Sequence, residues 1–485
     1  MNFNSLSYLV FLAANVVLYY LLPPKWRNVL LLASSYFFYM CWNPKYALLM
    51  LFSTGVTYAC GLLVERAFLG KRRLWLAASL TVNLAILFFF KYFNFVSSLV
   101  ARGFALAGLT ISAPSLDVLL PVGISFYTFQ ALGYTIDVYR GDIPAERNFV
   151  DYALFVSFFP QLVAGPIERS GNILHQLKEV HPFRWENLRD GVLPVLWGLM
   201  KKMVLADNLA VLVNTVYASP GDHTGAELAL ATVAFAFQIY CDFSAYSDIA
   251  RGSARMLGFE LMENFHCPYL ATSVKDFWRR WHISLSSWFK DYLYFPLGGS
   301  RCSKSRHLLN LLIVFGISGL WHGAALTFVA WGLLNGLYQV VSILLDPLRR
   351  KWYGLLHLRQ DHFLVRAVRV VCTFGFTCLA WVLFRADSLQ DAGTVFRALL
   401  ALPVTGLHGD PGGLGLSLQA LKLMALLCLL LVILDYFIAE KQLAKRINRT
   451  IVRRYAVYFV LIVLILLFGS YGEGYDPQDF VYFQF

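Results

Sequence analysis

Two stretches decide how this chain is read. One is Trp278-Arg279-Arg280-Trp281-His282-Ile283-Ser284-Leu285-Ser286, which continues to Tyr294-Phe295-Pro296-Leu297-Gly298-Gly299; the other is Gly319-Leu320-Trp321-His322-Gly323-Ala324. The first mixes basic and aromatic side chains, as segments lying at a membrane surface do. The second closes a long apolar run. An ionisable side chain at membrane depth is costly to keep there, so by default it marks a functional position. A histidine in such a place is a candidate acid–base group near neutral pH.

Composition sets the class around these stretches. Hydrophobic residues make up 58% of the chain and charged residues 14%, with a mean hydropathy of +0.58. A soluble chain needs far more polar surface, so the expectation is an all-α polytopic membrane protein. The first apolar segment, 6–22, has neither a basic flank nor an Ala-x-Ala exit, and reads as a retained span. The net charge of +12 fits basic loops held against anionic lipid at the cytoplasmic face, without nucleic acid as a partner. The eight cysteines are scattered and form no C-x-x-C pair. They read as buried thiols, with no disulfide framework and no metal site.

About 30 Å of hydrocarbon needs roughly 20 apolar residues per helix. Candidate spans cover 6–22, 28–42, 46–64, 74–90, 92–109, 118–135, 150–164, 191–217 (interrupted), 228–250, 308–322, 325–345, 368–384, 416–438 and 455–470. Several are short or carry polar residues, so about eleven to thirteen crossings are expected, with re-entrant or interfacial pieces. No soluble domain is visible, and 1–485 reads as one membrane domain. The loops at Lys25/Arg27 and at Arg66, Lys71, Arg72 and Arg73 are basic, whereas the loop at 42–45 is weakly charged, which places the N-terminus outside. Lys441, Lys445, Arg446, Arg449, Arg453 and Arg454 precede the last span. The tail 471–485 has no Lys or Arg, so it too is expected outside. It ends in Phe480-Val481-Tyr482-Phe483-Gln484-Phe485, which from composition alone reads as an aromatic interfacial anchor.

Segment 264–307 is too polar to span and too aromatic for a plain loop. It can lie in the headgroup plane. It reads either as a lipid-binding piece or as a face for a phosphorylated acyl donor, with Arg279, Arg280, Lys290 and Arg301 on the phosphates. Composition does not separate the two. His282 lies in this segment, and His322 lies across the apolar run that follows it. Two Trp-His pairs flanking one apolar helix point to a shared polar site. Gly319 and Gly323 would allow close backbone approach around His322. Gln130, Asp137, Gln161, Glu168, Asp242, Ser244 and Asp248 also interrupt apolar runs, mostly as helix-packing hydrogen-bond groups.

Five stretches, 126–140, 158–169, 238–248, 276–301 and 319–324, together with the tail 480–485, resemble in their order the membrane-bound O-acyltransferase family. Within it they resemble the bacterial alginate O-acetylase branch. One departure is Ala245, where the pattern Asp-Phe-Ser-Gly-Tyr-Ser-Asp has glycine. The resemblance implies a ring of tilted helices around a thin centre, where a cytoplasmic and an extracytoplasmic funnel meet at a catalytic histidine. His322 matches that residue, and His282 matches the second characteristic histidine. It implies an acetyltransferase of the bacterial cytoplasmic (inner) membrane, with acetyl-CoA as donor substrate and no cofactor. A partner on the outer face would complete transfer to a polysaccharide such as alginate, with peptidoglycan or cellulose also open. It also implies that Tyr482 carries acetyl as an ester before hand-over to that partner. A transporter or flippase, which inverted repeats would favour, and a scaffold for envelope polysaccharide assembly are the alternatives. No such repeat is visible.

Overall fold

In hydrocarbon, backbone N–H and C=O groups can pair only within the protein, so apolar runs close as helices. The computed structural model describes residues 1–471 and 480, apart from 110, 164, 358, 360 and 402–410. Every regular element among the described residues is helical. Among the described residues, seven helices are long and apolar enough to cross a membrane: Pro44–Arg66, Gly70–Leu106, Gly225–Met256, Leu326–Leu344, Phe363–Arg385, Leu418–Ile438 and Ile451–Phe468. Leu6–Leu21 and Phe149–Leu162 are apolar but shorter.

The helices of this length and hydropathy are fewer than the candidate runs read from the sequence, in part for local reasons. The runs 74–90 and 92–109 join into one rod, Gly70–Leu106, through a π-helical turn at Phe88–Tyr92. The run 150–164 breaks after the nine-residue helix Phe149–Ser157, because Phe158 turns out at ψ 113° before the short helix Phe159–Leu162. A nine-residue helix rises only about 14 Å. The run 191–217 is helical throughout but passes through a π-helical turn, Lys201–Ala206, and carries buried Lys201, Lys202 and Asp207.

The chain forms two compact units, Met1–Val195 with Tyr246–Met262, and Leu196–Ala245 with Glu263–Phe485. In the first, the helix Ile124–Arg140 is buried along every residue from Ile124 to Thr135 and packs on Pro44–Arg66. Gly123 starts it at φ 72°, where an added Cβ would stand 2.7 Å from the Leu162 carbonyl oxygen. The break at Phe158 leaves the Phe155 carbonyl without its intrahelical donor. The side-chain amides of Gln130 and Gln161 donate to it instead, the latter at 2.7 Å. Glu168 accepts from the Met262 N–H and from Asn172, and Asp137 accepts from Ser170. Their expected role as packing hydrogen-bond groups is the one they fill.

In the second unit, Lys304–His322 and Leu326–Leu344 form a helical hairpin. Glycine makes it tight. A Cβ on Gly319 would sit 2.2 Å from the Phe328 carbonyl oxygen, and one on Gly332 would sit 2.2 Å from that of Phe315. Such small-residue contacts replace the hydrophobic drive that lipid cannot supply. Leu326–Leu344 also packs on Phe363–Arg385. Segment 264–307 folds as short pieces, among them Val274–Arg280, Ile283–Phe289 and a π-helical turn at Lys290–Tyr294, none long enough to cross.

Candidate active site

His322 is the last residue of its helix and is only 4% exposed. Gly323 follows, and a Cβ there would lie 2.2 Å from the Phe328 ring. Space is the reason for that glycine, since its backbone is extended. The imidazole stands edge-on to three rings: Trp321 at 4.9 Å, Trp331 at 5.0 Å and Phe384 at 5.5 Å between centroids. Trp331 stacks on Trp381 at 5.8 Å, and Trp281 lies 5.1 Å from Trp381. The site therefore has an indole wall.

His282 connects two seven-residue helices, and its backbone is left-handed at φ 44°, ψ 54°. For a non-glycine residue that conformation costs about 1–2 kcal/mol. It is held by Asn264. The Asn264 backbone carbonyl accepts from the Ile283 N–H at 3.0 Å. Its side-chain Oδ1 accepts from the Ser284 N–H at 3.2 Å and from the Ser284 hydroxyl at 2.9 Å. The same oxygen lies 3.1 Å from His282 Nδ1. A backbone N–H can only donate, so the asparagine must present oxygen here. Nδ1 of His282 therefore carries the proton, and Nε2 carries the lone pair. Complete burial lowers the pKa of this imidazole below its usual value and favours the neutral form. The Phe243 ring meets it edge-to-face at 4.5 Å.

The two histidine rings lie 6.4 Å apart, inclined at 63°. Trp321 touches both, at 6.0 Å from His282 and 4.9 Å from His322. The structure thus brings together the two histidines that the sequence singled out.

The expected donor-binding residues are placed differently from one another. Arg279, Lys290 and Arg301 are exposed. Lys290 lies over the Phe295 ring at 5.4 Å. Arg280 is partly buried and tied by its Nε to Asp276 at 3.1 Å, with Glu440 at 4.0 Å. Trp278 donates to Asn335 at 3.3 Å. Tyr482 lies outside the described residues. Phe480 is described; it is 1% exposed and lies 5.7 Å from Phe243. Among the described residues no group of three or more His, Cys, Asp or Glu could hold a metal ion.

Sequence reading missed Asn264, Phe243, Trp331, Trp381 and Phe384. Asn264 sits at the edge of the basic-aromatic segment with no periodicity to mark it. The aromatic residues look like ordinary apolar positions. Lys201 and Lys202 did leave a signal, two adjacent lysines inside the apolar run 191–217.

Two buried histidines in a chain of apolar helices make a candidate acid–base site. The chain belongs to the membrane-bound O-acyltransferase family, in the branch that includes the alginate O-acetylases; the family profile matches residues 143–385. It is 38% identical over 407 residues to the Pseudomonas aeruginosa protein named "Probable alginate O-acetylase AlgI", covering 83% of this chain and 75% of that one. The Helicobacter pylori protein named "Peptidoglycan O-acetyltransferase" is 35% identical over 419 residues, covering 81% and 77%. The Bacillus subtilis protein named "Teichoic acid D-alanyltransferase" is 25% identical over 276 residues, covering 54% and 68%. The chain is an O-acyltransferase embedded in a membrane by multiple helices.

Proposed function

We propose that this O-acyltransferase moves acetyl from a cytoplasmic thioester, acetyl-CoA, to an acceptor that delivers it to an extracytoplasmic polysaccharide. The single observation that carries the reading is the pair of buried imidazoles, 6.4 Å apart between indole and phenyl walls. His322 takes the proton from an acceptor hydroxyl as its oxygen attacks the acetyl carbonyl. The C–S bond breaks, and the thiolate leaves with that proton returned to sulfur. His282, with its lone pair on Nε2, orients the acceptor. The exposed Arg279 and Arg301, with Lys290, engage the donor's phosphates at the cytoplasmic face. Arg280 serves this role less directly, because Asp276 already holds it.

The acceptor in this reading is Tyr482. The burial of Phe480 against Phe243, the ring that also touches His282, supports this choice. Acetyl-tyrosine would pass its acyl group to an extracytoplasmic partner, which completes transfer to polymer hydroxyls. Alginate is the first candidate polymer, on the names of the relatives, and peptidoglycan the second. The protein would sit in the bacterial inner membrane with both termini outside.

The test is acetyl transfer in well-expressed variants. His322→Ala should lose about 10²–10⁴-fold in rate, the usual worth of a general base, and His282→Ala should lose less. Near-normal transfer in His322→Ala would end the base assignment. Tyr482→Phe keeps the ring and loses one oxygen. It should abolish polymer acetylation at unchanged protein level, and normal acetylation there would remove the relay and leave the histidines standing.

A further inference from the structure

Lys201 and Lys202 are each 2% exposed. An ammonium so deep needs charged or hydrogen-bonding partners. Lys202 Nζ lies 2.9 Å from Asp207 Oδ1 and 2.9 Å from Asp242 Oδ1. Lys201 Nζ donates to the Ser244 hydroxyl at 2.6 Å and lies 5.7 Å from the Tyr240 ring. Two consecutive lysines of the π-helical turn thus grip two positions on the helix Gly225–Met256, and those positions flank Phe243. Successive helical side chains are rotated by roughly 100°, so the two anchors hold different sides of the helix and Phe243 projects about 100° from each. Pinning residues 242 and 244 fixes the rotation of the helix about its axis, and with it the direction of the Phe243 ring. That ring meets His282 at 4.5 Å and Phe480 at 5.7 Å.

The same turn holds the start of the tail. The Met203 carbonyl, inside the turn, accepts from the Ser470 N–H at 3.0 Å. The Asn208 side chain donates to the Phe468 carbonyl at 3.1 Å. One short segment therefore anchors the chain where it leaves the last helix, and sets the ring against which Phe480 is buried.

We propose that Lys201 and Lys202 are positioning residues, which through Ser244 and Asp242 hold Phe243 as a shared wall for His282 and for the tail residue Phe480. Seating of the tail and orientation of the histidine are then coupled through one ring. This rests on the reading of the tail as acetyl acceptor.

The test is a double-mutant cycle in the full-length protein, scored by polymer acetylation with the partner present. Removing one member of the Lys202 ion pairs risks unfolding, because it leaves buried charge uncompensated. Ser244→Ala is the milder variant, since it deletes a single hydroxyl beside Lys201. Ser244→Ala and Phe480→Ala should each slow transfer about tenfold, and the pair should cost about the same tenfold, as for residues that act through one element. Ser244→Ala should also alter the pH profile of acetyl release through His282, which a lower unfolding temperature alone would not do. Single effects that multiply to about a hundredfold, or an unshifted profile with full activity in folded Ser244→Ala, would overturn the proposal. Failure of the tail reading is a separate result, normal acetylation in Tyr482→Phe.

Discussion

Asn264 settles the chemical state of His282. Its Oδ1 accepts from a backbone N–H and a hydroxyl of Ser284, so the histidine nitrogen facing that oxygen must be protonated. Asn264→Asp puts a carboxylate there, and an opposite charge raises an imidazole pKa. The variant should lose activity at neutral pH, where His282 would now hold two protons, and recover as pH rises. The pH–rate profile reads this as an acid limb moved upward; an unmoved limb would mean that the His282 lone pair is not used. Stability carries the opposite sign of shift. Burial holds His282 below the ordinary histidine value, so the unfolded chain takes up a proton that the folded one does not. That contribution to stability is full above roughly 6.5 and is lost as pH falls below it. His282→Asn should therefore flatten the acid side of the unfolding curve, measured on detergent-solubilised protein.

At the scale of elements, the histidine hairpin is defined by glycine contact. Gly319 faces the Phe328 carbonyl and Gly332 faces that of Phe315, each with room for no Cβ. Gly319→Ala or Gly332→Ala must push the two backbones apart, at a cost of about 1–3 kcal/mol for an overpacked core. Both variants should melt lower than wild type. Gly319→Ala should also slow catalysis, since His322 lies one turn further along the same helix. Gly375, which meets nothing within 4 Å at its own Cβ position on Phe363–Arg385, is the control: Gly375→Ala should be neutral or mildly stabilising. Equal melting of all three would contradict close packing as the reason for these glycines.

For the whole molecule, the testable quantity is orientation. The basic segment 275–306 is proposed to face the cytoplasm and the tail to face out. Cys41 and Cys372 are exposed and would be replaced first. A single cysteine beside Arg301 should then resist an impermeant maleimide added to intact cells and react once the membrane is opened. Labelling from outside would invert the placement and remove the donor-phosphate role of Arg279, Lys290 and Arg301.

Sequence alone determined what depends on composition and on linear spacing. An excess of Leu, Val and Phe over charge forces a helical membrane protein, because buried backbone must pair within itself. Two histidines beside tryptophans in apolar surroundings are costly enough to mark a candidate site. The ordered set of motifs carried the family. Other features were beyond it, because they are relations between residues far apart in the chain. The number of full-length helices depended on whether a run such as 150–164 breaks at Phe158 and whether 74–90 joins 92–109. Both are decided by local π-helical or turned backbone that hydropathy does not register. The tautomer of His282 depended on Asn264 being folded beneath it. The link between the lysine pair and the histidine depended on Phe243, an ordinary apolar residue by sequence, being aimed by Asp242 and Ser244. Hydrophobicity adds up along a chain, and so can be read from it; hydrogen-bond direction and ring orientation exist only once packing has set side chains against one another.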